Sequence, residues 1–190
     1  INPVLYSKPS HPDNIALLAP LLTNQTQIDC FNILNNAISR LRASPDELLR
    51  LLDYHGIMLL VSNLRPLPSE LIPILIQRRA MAVAGEALRR QALSDTLEQL
   101  SSAGLSGCIL FKGGALAHTV YPEPWCRPRS DADILIDDSN RPLAHEILSQ
   151  IGYQKQFAIE GKYVSYQSSY SLRLAGGSSM HIDLHWRINN

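Results

Sequence analysis

The stretch Arg129-Ser130-Asp131-Ala132-Asp133-Ile134-Leu135-Ile136 decides how this chain is read. Its first half is charged and polar, and its second half is apolar. That order predicts a strand that starts at a polar rim and runs into a core. Residues two apart on a strand point to the same face. Asp131 and Asp133 are therefore expected side by side on one face, with Ala132, Ile134 and Ile136 buried on the other. Two parallel carboxylates repel each other, and a bound divalent cation is the usual way to offset that repulsion.

Upstream lies Cys108-Ile109-Leu110-Phe111, a short apolar run bounded by glycines that reads as a buried strand. Lys112-Gly113-Gly114 follows it, and Gly114 to Tyr121 reads as a short helix. A Gly-Gly turn leading into a helix lets backbone N–H groups approach a phosphate. Lys112 adds a point charge, and the guanidinium fork of Arg129 or Arg127 suits a phosphate oxygen pair. The plainer readings are an ordinary strand-to-helix turn, a surface lysine, and arginines that balance the acids. Downstream, a final strand over about 180–188 carries His181-Ile182-Asp183-Leu184-His185-Trp186. His181, Asp183 and His185 share one face there, while Ile182, Leu184 and Trp186 face the core. Three such residues suit a transition-metal site of their own, as in a His/Asp metal-dependent hydrolase.

Around these motifs the chain has two characters. Residues 1–13 hold three prolines and read as an irregular lead-in. Residues 14 to 103 are helical in pattern. Ser44-Pro45-Asp46-Glu47 is a capping box with Pro at the first helical position. Leu48, Leu51, Leu52 and Leu59 then recur on one helical face, and Pro66 and Pro68 break the run. Residues 69–103 are good helix formers, forming one long helix or two broken near Gly85. Their charges, Arg78, Arg79, Glu86, Arg89 and Arg90, read as a solvated face. Gly104 ends the segment as a C′ glycine does.

Beyond Gly104 the order is strand, helix, strand over 131–137, a helix over 141–150 capped by Ser139 or Asn140 with Gly152 past its end, then strands. Tyr153 to Glu160 and Tyr163 to Leu174 read as strands joined at Gly161-Lys162, with a turn over Ala175 to Ser179. The fold class is α+β: a mixed sheet with helices over 104–190, behind an all-helical region over 1–103. Tyr153, Tyr163, Tyr166 and Tyr170 read as sheet packing in preference to base stacking.

The 17 basic and 17 acidic residues cancel, which argues against an extended nucleic-acid surface. Three widely spaced cysteines, Cys30, Cys108 and Cys126, fit neither a disulfide framework nor a zinc site. They read as free thiols of a cytoplasmic protein. No apolar run approaches the ~20 residues that span a bilayer, and no signal peptide is visible. The chain stops shortly behind Asp183, so the natural protein is expected to continue past Asn190.

Phe111-Lys112-Gly113-Gly114, Arg129-x-Asp131-x-Asp133 and Asp183-Leu184-His185-Trp186, in that order, resemble the nucleotidyltransferase superfamily related to DNA polymerase beta. The likeness is greatest to its uncharacterised bacterial branch and covers about 104–190. The gap between Gly114 and Asp131 is longer than in many members. The resemblance implies a nucleotidyltransferase-like core in which Asp131, Asp133 and Asp183 are catalytic and hold Mg²⁺ (or Mn²⁺). It places ATP or another nucleoside triphosphate against Lys112, Gly113, Gly114 and Arg129, and His185 on the acceptor side. The implied reaction moves a nucleoside monophosphate, AMP from ATP, to a hydroxyl of a small molecule or a protein. The alternative is a binding or scaffold module that keeps the fold without turnover.

Overall fold

The computed structural model describes residues 27–41, 45–156 and 166–188. The expected lead-in, the helical pattern over 14–26, the Ser44 cap, Cys30 as a thiol and the Gly161-Lys162 turn lie outside the described residues. Two compact units form, one from residues 1–83 with 126–128, the other from 84–125 with 129–190.

The first unit is helical, as expected. It holds α1 (Gln27–Leu41), α2 (Pro45–Tyr54), α3 (Met58–Val61) and the opening turns of α4 (Ile72–Ser102). Asp46 and Glu47 sit in the first turn of α2, where the helix dipole favours acids. Behind them Leu48, Leu49, Leu51 and Leu52 are buried against Leu34, Ala37, Met58, Val61, Leu71 and Leu75. Leu59 belongs to α3, not to the α2 face, because the chain turns at Gly56 with φ 69°.

α4 is a single unbroken helix of 31 residues, so Gly85 does not interrupt it. The sequence reading put the domain boundary at 103/104, whereas the compact units divide at 83/84, inside α4. The physical reason is that Ala92, Leu93 and Leu100 of α4 belong to the core of the second unit. Gly104, at φ 96°, ends the helix in the left-handed conformation that glycine permits.

The second unit carries a five-stranded sheet in the order β1-β2-β5-β4-β3. Its strands are β1 (Ile109–Phe111), β2 (Ala132–Leu135), β3 (Gln154–Lys155), β4 (Gln167–Arg173) and β5 (Ser179–His185). β2 and β5 are parallel, and the other neighbours are antiparallel, which is the mixed sheet expected. Helix α5 (Lys112–Thr119) follows β1, and α6 (Arg141–Gln150) links β2 to β3. Alternation sorts the faces. Ala132, Ile134, Met180, Ile182, Leu184 and Tyr170 pack with Ala144 and Leu148 of α6. Each large aliphatic side chain buried in this way contributes roughly 1.5–3 kcal/mol.

β1 differs from the buried strand expected. It is an edge strand, and Ile109 is exposed. Asn140 makes no side-chain cap for α6. A 3-10 turn, Asp138–Asn140, leads into that helix, with the Asp137 carboxylate accepting from the Ser139 N–H.

Candidate active site

Strand register builds the site. Asp133 of β2 lies directly opposite Asp183 of the parallel strand β5. Period-two alternation then brings His185 to the same face, and Phe111 at the end of β1 pairs with Asp133 from the other side. Asp133, Asp183 and His185 offer ligand atoms that all lie within 4.8 Å of one another. Asp133 and His185 are each only 5% exposed, while Asp183 is half-buried.

Each side chain is held. The His185 imidazole meets the Phe111 ring edge-on at 5.0 Å. Its Nε2 lies 2.9 Å from Asp133 Oδ1, so an Nε2–H donates to the carboxylate. Asp183 Oδ1 accepts from the Ser169 hydroxyl at 2.6 Å, and Oδ2 accepts from Gln167 Nε2 at 3.4 Å. Ser169 and Gln167 come from β4, where they are register partners of Asp183 and His185. The sequence reading missed both. The signal was their spacing of two along a strand next to β5, which is legible only once that pairing is known.

Lys112 enters the cluster directly. Its Nζ lies 2.7 Å from Asp133 Oδ1 and 3.4 Å from His185 Nε2. The ammonium compensates a carboxylate that burial would otherwise penalise. Lys112 also has φ 50°, a left-handed conformation that costs a non-glycine residue about 1–2 kcal/mol. The strain sits at the junction where β1 turns into α5.

Gly113 and Gly114 lie in the first turn of α5, whereas the sequence reading began that helix at Gly114. Gly114 has a packing role: a Cβ there would stand 2.9 Å from Leu110 Cδ1. Glycine thus lets α5 press onto β1.

Two candidates stand apart from this cluster. Asp131 precedes β2, is half-buried and is not a member of the close-set ligand group. The parallel ladder with β5 begins one residue later, at Ala132. Arg129 is engaged elsewhere: its Nη2 meets Glu86 Oε1 at 2.5 Å and its Nη1 donates to Pro124 O at 3.1 Å. Glu86, read as part of a solvated helix face, is buried instead, with Arg89 at 3.3 Å and His118 at 4.0 Å on the same carboxylate. Its signal was a lone acid among the arginines of α4. The long Gly114–Asp131 gap is spanned by α5 and a 3-10 turn, Pro124–Cys126, and Arg129 is tied to α4 at its far end. His181 is exposed at the start of β5 and also lies outside the ligand group.

Two carboxylates and one imidazole fit a divalent cation. The carboxylates suit Mg²⁺ and Mn²⁺, and the imidazole nitrogen tips the set away from an all-oxygen shell. Such a cation supplies Lewis-acid stabilisation of a phosphoryl group. Among the described residues, no helix is long and apolar enough to cross a membrane. No curated protein and no solved structure matches the chain. A family model described as "Uncharacterised nucleotidyltransferase" matches residues 42–190, which extends the likeness well into the helical region, and the chain belongs to that family.

Proposed function

We propose that this protein is a divalent-metal-dependent nucleotidyltransferase that moves a nucleoside monophosphate, AMP from ATP, to a hydroxyl of a small molecule or a protein. The observation that carries this reading is the register pairing of Asp133 with Asp183 beside the α5 N-terminus, in a chain of a nucleotidyltransferase family. Asp133 and Asp183 hold Mg²⁺ or Mn²⁺, with Asp131 at the rim as a further acid. Lys112 and the N–H groups of Gly113 and Gly114 receive the triphosphate. Arg129 supports the loop ahead of Asp131 through Glu86.

Such transfer needs charge neutralisation and in-line positioning more than covalent help from the protein. The acceptor oxygen forms a bond to the α-phosphorus, and the bond from that phosphorus to the bridging oxygen breaks, releasing pyrophosphate. Asp183, fixed by Ser169 and Gln167, takes the acceptor proton. His185 orients the acceptor from the same strand. Nζ of Lys112 neutralises Asp133 and the incoming phosphates in turn.

The test is ATP titration with and without Mg²⁺ or Mn²⁺, for wild type and Asp133→Ala, followed by incubation of the protein with labelled nucleotides and cell extract. Metal-dependent binding lost in Asp133→Ala, together with a labelled acceptor, supports transfer. A binding module without turnover is the second reading. It draws on the Lys112–Asp133 ion pair, which compensates one of the two carboxylates with no metal, and it predicts nucleotide binding indifferent to the metal.

A further inference from the structure

Beside the carboxylates lies a cavity of about 200 Å³, lined by Phe111, Lys112, Tyr166, Gln167, His185 and Arg187 together with Ile188. The β4–β5 ladder continues one step past both strands, through the Trp186 N–H to the Tyr166 carbonyl at 3.1 Å. That bond brings Arg187 alongside Tyr166, with its guanidinium 5.0 Å above the ring. The ring fixes the plane of the guanidinium, and among the described residues no acid pairs with the exposed Arg187. Among the described residues, no acidic side chain lines the cavity. Its polar groups are an ammonium, a guanidinium, an amide, an imidazole and a phenol, a lining weighted towards donors. Ligand pockets for whole small molecules run to about 300–1,000 Å³, so this one suits a single charged group and not an entire nucleotide.

We propose that this cavity is an oxyanion subsite, in which Arg187 stacked on Tyr166 grips a phosphate or carboxylate carried by the acceptor. The geometry matches a planar fork with two oxygens. The cavity adjoins His185 and Gln167, the latter hydrogen-bonded to Asp183, on the side of the sheet that the transfer reading gives to the acceptor. Assigning the anion to the acceptor rests on that reading; the binding of an oxyanion does not.

The test titrates the full chain with inorganic phosphate against a chloride control of equal ionic strength, with and without a saturating, non-hydrolysable ATP analogue and metal. Wild type binds phosphate saturably in both conditions. Arg187→Ala weakens it at least about tenfold, as loss of a charged hydrogen bond does, while Arg187→Lys recovers part of it. Tyr166→Ala, which removes the stacking platform, weakens it as well. Absence of saturable binding, or equal binding by Arg187→Ala, overturns the subsite. Competition between phosphate and the analogue overturns the acceptor assignment and gives the cavity to the nucleotide. If the analogue shows no metal-dependent binding while phosphate still needs Arg187, the anion pocket stands and the transfer reading falls.

Discussion

The Glu86–Arg129 pair offers a sharp test of how the site is supported. Both side chains are only 7% exposed, and they bind at 2.5 Å. Deleting one partner leaves the other charge buried with less compensation, which costs ~3–5 kcal/mol. For Glu86→Gln the remaining Arg129 keeps the uncharged acceptors Pro124 O and the amide oxygen of the new glutamine, with no anion against its charge. For Arg129→Met the Glu86 carboxylate keeps Arg89 and the more distant His118, so its loss falls at the lower end of that range. A chain of 190 residues loses about 2–4 °C of melting temperature per kcal/mol, so each variant should melt about 6–20 °C lower. The double variant Glu86→Gln/Arg129→Met should fall well short of the sum of the two losses. Thermal and urea unfolding followed by circular dichroism measures all four proteins. Nucleotide affinity, measured well below the melting transition, should fall to a similar small extent in both single variants. The reasoning is refuted if Arg129→Met melts like wild type yet loses nucleotide affinity tenfold or more while Glu86→Gln loses none. In that case Arg129 serves the phosphate after all.

Three further outcomes are expected. Gly114→Ala forces a Cβ to 2.9 Å from Leu110 Cδ1 and should cost about 1–2 kcal/mol in urea unfolding, with part of the loss recovered in Gly114→Ala/Leu110→Ala. Lys112→Gly and Lys112→Met both remove the counter-charge of Asp133, but only glycine relieves the φ of 50°, so the glycine variant should be the more stable by roughly 1 kcal/mol. Burial pushes the phenols of Tyr153 and Tyr170 above the ordinary tyrosine range, against smaller opposing effects of Thr96 on the first and of Ser168 and Arg141 on the second. The unfolded chain loses these protons first, near pH 10, so stability is intact below that value and falls as pH rises beyond it. Urea midpoints between pH 8 and pH 11, read with phenolate absorbance, check the direction.

How much of this was legible in the sequence depends on the range of the interaction involved. Local chemistry was read well. Asp46 and Glu47 open α2, Gly104 closes α4, and the alternation of Ala132, Ile134, Ile182 and Leu184 sorts core from site without any knowledge of pairing. Exposure along β1 was misread because a four-residue apolar run, Cys108 to Phe111, looks the same at the edge of a sheet as in its centre. Periodicity alone also could not tell a solvated glutamate from a buried one. Glu86 is buried because Arg129, 43 residues away, folds back onto it.

The site itself shows the limit most clearly. Spacing predicts that Asp131 and Asp133 share a face, but it cannot say where the strand begins. The ladder with β5 starts at Ala132, so Asp133 is held in the sheet and Asp131 stays at its rim. What converts Asp133 into part of a cluster is a parallel register with Asp183, 50 residues on in a chain whose intervening helix and strands set that register. A slip of one residue along β5 would turn Asp183 into the core and expose Ile182 and Leu184, both 0% exposed. The apolar face of the sheet thereby fixes the alignment of the polar one: the same aliphatic packing that stabilises the fold brings Asp133 and Asp183 opposite each other, and His185 follows from the period of the strand.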